Sequence, residues 1–217
     1  MTGPARRFPY IRNYDLDEDL LEEAARKGRP AMKLYAWKGL ALVLGRGSDP
    51  EREIRLEPAL ADGVPILRRR GGGCAVLLDP GNAVASLAFP LPGTGRITRA
   101  FDASLEWLLG GLERAGIYGI RREGISDLAL GEKKVGGTCL YRKSGLVYFS
   151  ATLLAAPSLE LVERYLKHPP REPAWRRGRS HAAFMGSLLS PPDAPEMEGF
   201  LRRLRPALEK SLPPVFL

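Results

Sequence analysis

Residues 68–82, RRRGGGCAVLLDPGN, set three consecutive arginines against three consecutive glycines, follow them with a cysteine and an apolar run, and end in a turn sequence. Glycine lets the main chain adopt positive φ and come within hydrogen-bonding distance of a ligand, while arginine supplies a forked donor matched to phosphate or carboxylate. The combination points to an anion held on backbone N–H groups. The alternative is a flexible surface loop that its arginines merely solvate. The flanks favour binding: 64–67 and 75–78 read as short apolar strands, Asp79-Pro80-Gly81-Asn82 has proline and glycine at the second and third positions of a turn, and 83–87 resumes as a strand. The glycine segment is therefore expected to join buried strands.

Outward from that stretch, 16–27 reads as a helix capped by Asp15, with Leu16, Leu20, Leu21 and Ala24 on one face. Strands are expected at 32–37 and 40–44, followed by a smaller glycine-arginine loop, Gly45-Arg46-Gly47-Ser48. Residues 101–115 form an amphipathic helix pattern through Phe101, Leu105, Leu108, Leu109 and Leu112. Strands at 127–130, 134–141 and 146–154 follow, then a helix at 158–166, a proline- and arginine-rich loop at 168–195, and a helix at 196–210 kinked or interrupted at Pro206. Strands and helices do not alternate regularly. An α+β fold is predicted, with a mixed, largely antiparallel sheet flanked by helices.

The 217 residues, 44% hydrophobic, suit one core and predict a single domain over 1–217 with no separate C-terminal accessory domain. No stretch approaches the roughly 20 apolar residues of a membrane span, and the N-terminus has no signal-type segment, so a cytoplasmic protein without membrane contact is expected. The net charge of +8 suits a polyanion, a nucleotide or an acidic protein partner. Two cysteines and two histidines offer neither a disulfide framework nor a zinc site, and no metal site is predicted. Glutamine is absent and asparagine occurs only at Asn13 and Asn82, a depletion of thermolabile amides that suggests a thermophilic source. Neither the P-loop nor the dinucleotide fingerprint is present.

A second informative stretch is GEKKVGGTCLYRKSGLVYFSATLL, residues 131–154. Lys134, just past a hairpin turn in a strand containing Gly136-Gly137, can place its ammonium beside a ligand; an ordinary edge-strand lysine is the other reading. Together the two stretches resemble the biotin/lipoate protein ligase catalytic-domain family, in its lipoate-protein ligase and octanoyltransferase branch. Arg68, Arg69, Gly72, Gly73, Val76, Asp79, Gly81 and Asn82 fall in register with the family's first motif. Lys134, Val135 and Gly137 match the second, Thr152-Leu153-Leu154 its ending, and Asp127 an aspartate upstream of the lysine. Leu34-Tyr35, Trp37 and Leu44-Gly45-Arg46 resemble the N-terminal strands, so the likeness covers about residues 8–190.

The resemblance implies the fold of the catalytic domain of biotin and class II aminoacyl-tRNA synthetases. It implies transfer of a lipoyl or octanoyl group to a lysine of an acidic lipoyl carrier domain or glycine-cleavage H protein, through an acyl-adenylate made from ATP with Mg²⁺. Arg69 would face the phosphate, Gly72, Gly73, Ala75 and Val76 would line the adenylate, with Asp127 and Gly137 beside it, and Lys134 would be the catalytic residue touching acyl carbonyl and phosphate. Leu78, Gly71 and Phe149-Ser150 depart from the motifs, Leu78 and Ser150 at histidine positions.

The short chain also fits half of a two-part ligase, or an ATP-independent transferase with Cys139 as nucleophile. Strand alternation puts Lys134 and Cys139 on opposite faces unless a bulge intervenes, and a nearby ammonium would favour the thiolate. Cys74 is read as a packing residue and His181 as a surface residue of the arginine-rich loop. A non-catalytic binding protein for an acyl or nucleotide ligand is the rival class, and a nucleic-acid role ranks below both.

Overall fold

The computed structural model describes residues 8–93, 95–189 and 197–212. In chain order its elements are β1 (Ile11–Asn13), α1 (Glu18–Lys27), β2 (Ala31–Ala36), β3 (Ala41–Leu44), α2 (Pro50–Glu53), α3 (Leu56–Ala61), β4 (Ile66–Arg68), β5 (Val76–Leu78) and β6 (Asn82–Pro90). They continue with α4 (Ile97–Arg114), β7 (Ile120–Glu123), β8 (Asp127–Leu130), β9 (Lys133–Lys143), β10 (Leu146–Leu154), α5 (Leu159–Tyr165), a 3-10 turn at Ala174–Arg176, α6 (His181–Phe184) and α7 (Met197–Glu209).

Six strands form an antiparallel sheet in the order β2-β6-β10-β9-β8-β7. Period-two alternation divides its central strands between two environments. Ala85, Leu87 and Phe89 of β6 and Val147, Phe149 and Leu153 of β10 join Leu108, Leu112, Phe200 and Leu204 of α4 and α7 in the main core. Phe149 meets Trp107 and Phe101 edge-on there. On the other face, α1 covers Ala88 and Tyr148 with Leu20, Leu21 and Ala24.

The second sheet has the order β1-β4-β3-β5, parallel across β1/β4 and β4/β3 and antiparallel across β3/β5. Its Leu42, Leu44, Ile66 and Leu77 pack against Val162 and Tyr165 of α5. Trp37, Val43, Leu78 and Val84 tie the two sheets together. Because β4 and β5 lie on either side of β3, the glycine loop between them must cross the end of β3, where the Gly45 loop emerges. The two loops touch: Arg46 N–H donates to the Gly71 carbonyl at 2.8 Å, and a Cβ at Gly45 would stand 2.0 Å from the Gly73 carbonyl oxygen.

The expected α+β arrangement of a mixed, largely antiparallel strand set flanked by helices is what forms. Several local expectations change. The first helix begins at Glu18, Leu16 is exposed, and neither Asp15 nor Asp17 caps it through a side chain, because the Asp17 carboxylate turns into the interior. The segment after 168 is ordered to 189 and holds the 3-10 turn and α6; 190–195 and Glu196 lie outside the described residues. Helix α7 runs uninterrupted through Pro206, which faces solvent with Arg202, so the carbonyl that loses its N–H partner there can be hydrated. Strands β1 and β7 gave no sequence signal: both are three or four residues long, at sheet edges, and carry exposed arginines. No helix among the described residues is long and apolar enough to cross a membrane.

Candidate active site

All three arginines of the opening stretch are engaged by the protein itself. Arg68 Nη1 donates to the carbonyls of Gly45 and Ser48 at 2.9 and 3.0 Å, clamping the smaller loop. Arg70 pairs with Glu18 at 3.0 Å, joining the glycine loop to α1. Arg69 donates from Nε and Nη2 to the Gly72 carbonyl at 3.2 and 2.8 Å, from Nη2 to the Cys74 carbonyl at 2.9 Å and from Nη1 to the Val43 carbonyl at 2.9 Å. A guanidinium has five N–H groups, so Arg69 acts chiefly as the staple that shapes the loop. Its role facing a phosphate, expected from sequence, has little donor capacity left.

The capacity lies instead in the main chain. Among the described residues no hydrogen bond takes the N–H groups of Gly71, Gly72, Gly73 and Cys74. Gly73 has φ of +92°, and a run of main-chain N–H groups in such a turn can form an anion-binding concavity. The Ala75 N–H is already taken by Glu53 Oε2 at 2.5 Å, and that buried carboxylate also accepts from Ser48 Oγ at 2.9 Å. The turn that follows is structural. Asp79 accepts from the N–H groups of Gly81 and Ser158, Asn82 Oδ1 accepts from the Asp79 N–H, and a Cβ at Gly81 would strike the Ala156 carbonyl oxygen at 1.8 Å.

A cleft of about 620 Å³ lies against this loop. Of the predicted residues, Arg69, Gly73, Ala75, Val76, Asp127, Lys134, Gly137 and Cys139 line it. Gly72 does not, and Gly71 does. Lys134 reaches the cleft through a β-bulge. Leu128 pairs with Gly136 and Ala129 with Lys134, so Val135 is an extra residue on β9 and turns into the core. The bulge puts Lys134, Gly137 and Cys139 on one side, which strict alternation forbids. The Lys134 ammonium pairs with Asp127 at 2.6 Å, and Asp127 also accepts from Trp175 Nε1 at 3.1 Å.

Beyond Lys134 the cleft follows three paired positions of β9 and β10: Gly137 with Thr152, Cys139 with Ser150, and Tyr141 with Tyr148. Buried Asp17 accepts there from Ser86 Oγ at 2.6 Å and from the Tyr148 hydroxyl. Burial, with Asp17 beside it, pushes the Tyr148 pKa well above the usual phenol value. Burial likewise raises Tyr14 to about 12. The Cys139 thiol is also raised by burial, and its cationic neighbour is Arg69, which only partly offsets that. The low dielectric works against the expected thiolate more than the guanidinium favours it.

The model of the lipoyl protein ligase A/B catalytic domain matches residues 9–209. The chain belongs to that family. A protein of Aeropyrum pernix named for lipoate-protein ligase A is 34% identical over 163 residues, 75% of this chain and 59% of that one. An octanoyltransferase LipM of Moorella thermoacetica is 32% identical, covering 74% of this chain and 66% of its own. The bi-partite lipoate protein ligase of Thermoplasma acidophilum, studied with its E2 lipoyl domain, superposes with a TM-score of 0.66 at 22% identity, over 92% of this chain and 78% of that one. The chain spans between 46% and 59% of the length of the first lipoate-protein ligase A relatives it matches.

Within this lipoyl ligase domain the motif departures have defined places. Leu78 is buried and lines the cleft, Phe149 is core, and Ser150 lies 3.3 Å from Ser86 Oγ. Cys74 also lines the cleft, with Sγ 3.5 Å from the Arg171 carbonyl oxygen, so it is a wall residue and not interior packing. His181 is 7% exposed and lines the cleft as well, against the surface position expected of it. Asp17, Tyr148, Trp175 and Arg176 were missed. Nothing in the acidic run at Asp15–Asp19, nor in the arginine-rich loop, signals which members turn inward.

Proposed function

We propose that this domain is the acyl-adenylate site of a lipoate-protein ligase, which activates lipoate or octanoate with ATP and passes the acyl group to a lysine of an acidic lipoyl carrier domain or H protein. The observation that carries this reading is the meeting, on one cleft, of Gly71, Gly73 and Cys74 of the glycine loop, whose N–H groups take no partner among the described residues, with the Lys134 ammonium. Backbone donors without internal partners suit a phosphate oxygen. Lys134, oriented by Asp127, stabilises the negative charge that grows on the acyl carbonyl and phosphate oxygens as the carrier lysine attacks. Asp127 is thereby a positioning residue for Lys134.

Among the described residues no three carboxylate, histidine or cysteine side chains are spaced for a metal ion. Magnesium would enter on the nucleotide phosphates, as it commonly does. The basic balance of the chain suits an acidic carrier.

A second reading, ATP-independent octanoyl transfer through Cys139, is favoured by the octanoyltransferase relative and by the position of Cys139 on the cleft floor, and opposed by the burial that raises its thiol pKa. One experiment separates the two. The ligase shows octanoate-dependent exchange of pyrophosphate into ATP, lost by on the order of 10²-fold or more in Lys134→Met and kept in Cys139→Ser. Octanoyl transfer from acyl carrier protein without exchange, abolished by Cys139→Ser, would establish the transferase instead.

A further inference from the structure

His181 opens helix α6 and is the one imidazole among the residues lining the cleft. The segment that carries it is fastened to the strand that carries Lys134. The Gly186 N–H donates to the Lys134 carbonyl at 2.9 Å, Met185 forms a bridge with Lys134, and the Met185 N–H donates to the His181 carbonyl at 2.7 Å. A second tie runs through side chains. Asp127, bonded to Lys134, accepts from Trp175, whose ring stands 4.5 Å from that of Phe184.

The His181 ring itself is arranged asymmetrically. Nδ1 faces Glu163 Oε2 of α5 at 3.7 Å, while Nε2 takes no partner among the described residues. Burial, and then the Arg176 guanidinium, lower its pKa from the usual 6.5, with Glu163 opposing and His168 adding slightly to the fall. The remaining charges near α6 are Lys133, whose ammonium caps the Ala182 and Ala183 carbonyls, and Arg179, which lies over Phe184. A neutral imidazole with one nitrogen toward a carboxylate and the other free is the arrangement of a general base.

We propose that His181 is the base for the carrier lysine in the acyl-transfer step, with Glu163 as its positioning residue; this rests on the adenylate reading above. The carrier lysine arrives as an ammonium and loses one proton to water. Its nitrogen attacks the acyl carbon, the C–N bond forms, the bond from that carbon to the phosphate oxygen breaks, and AMP leaves with the electron pair. The surplus proton on nitrogen passes to Nε2 of His181, is balanced there by Glu163, and is released to solvent.

The test uses the full chain with octanoyl-AMP and an apo lipoyl domain, and measures single-turnover transfer separately from octanoate-dependent pyrophosphate exchange. His181→Gln should slow transfer by about 10²-fold or more, leave exchange within about twofold, and remove from the transfer pH profile the imidazole inflection below pH 6.5, leaving the rise that follows the carrier lysine's own ionisation. Glu163→Gln, which removes the charge and keeps a side-chain oxygen to accept from the Ala182 N–H, should slow transfer several-fold and move that inflection to lower pH. Diethyl pyrocarbonate should modify His181 only while the cleft is empty, with octanoyl sulfamoyl adenosine protecting it and His168 reacting in either case. Wild-type transfer rates in His181→Gln, equal loss of both half-reactions in a folded variant, or modification of His181 unaffected by the adenylate analogue would each overturn the assignment. Wild-type protein that performs neither half-reaction would sink the adenylate reading and the base with it, whereas exchange with undiminished transfer in the variant would remove the base alone.

Discussion

A thiol on the floor of a cleft invites a nucleophilic role, and Cys139 shows why position is insufficient. Its reactivity depends on the thiolate, which burial disfavours and Arg69 restores only in part. Iodoacetamide at mildly alkaline pH should therefore label Cys74, on the cleft wall, at least about tenfold faster than Cys139, and labelling of Cys139 should climb as pH rises beyond the ordinary thiol range. Equal rates for the two, read by peptide mass spectrometry, would show that Cys139 ionises freely. The same scale governs Gly71 and Gly81. A Cβ at Gly71 would approach Cys139 Sγ to 2.8 Å and require that side chain to turn aside, whereas one at Gly81 would overlap a carbonyl, so Gly81 excludes a side chain for steric reasons and not for flexibility. Glycine content was legible in the sequence; which neighbour each glycine makes room for was not, because Cys139 and Ala156 are far along the chain.

The elements that build the site are two loops and one irregular strand. The loop from 69 to 75 holds its shape through one side chain, since Arg69 gathers carbonyls from Val43, Gly72 and Cys74. Arg69→Ala should cost about 2 kcal/mol in urea unfolding and weaken ATP binding by at least about tenfold, and Arg69→Lys should recover little, because a single ammonium cannot fork between three acceptors. Unchanged nucleotide affinity in Arg69→Ala would mean that the loop holds its form without the staple. On β9 the extra residue Val135 aims Lys134 into the cleft. The strand itself followed from its apolar and β-branched residues, but the bulge did not, since two-residue periodicity carries no mark of one inserted position. The arginine-rich segment was legible only as a loop. Its 3-10 turn and α6 are each three or four residues long, too short for a helical period; Trp175 of the turn is tied to Asp127 of β8, and the segment after α6 to Lys134 of β9.

Across the whole molecule the cleft gathers phenols around Asp17, and this makes alkaline pH a probe of its integrity. Tyr14 rises to about 12, first through burial, offset by its hydrogen bond with Tyr35, and Tyr141 also to about 12. The folded values exceed the unfolded value near 10, so the folded state binds these protons more tightly. Their contribution is complete below pH about 10 and is lost as pH climbs toward 12. Urea midpoints should accordingly fall over that interval, with Tyr14 accounting for up to about 3 kcal/mol, and Tyr14→Phe should flatten part of the decline. An unchanged slope in that variant would show that Tyr14 ionises in the folded state as it does in water. By itself the amino-acid sequence determined the α+β class, the family likeness and the two stretches that form the cleft, because periodicity and local glycine, proline and arginine spacing act over a few residues. Tertiary structure alone decided which donors remain free, which face Lys134 takes and which histidine is buried. Those properties depend on whether a partner from elsewhere in the chain, such as the Val43 carbonyl or the Glu163 carboxylate, arrives within bonding distance, and chain-local pattern holds no record of that.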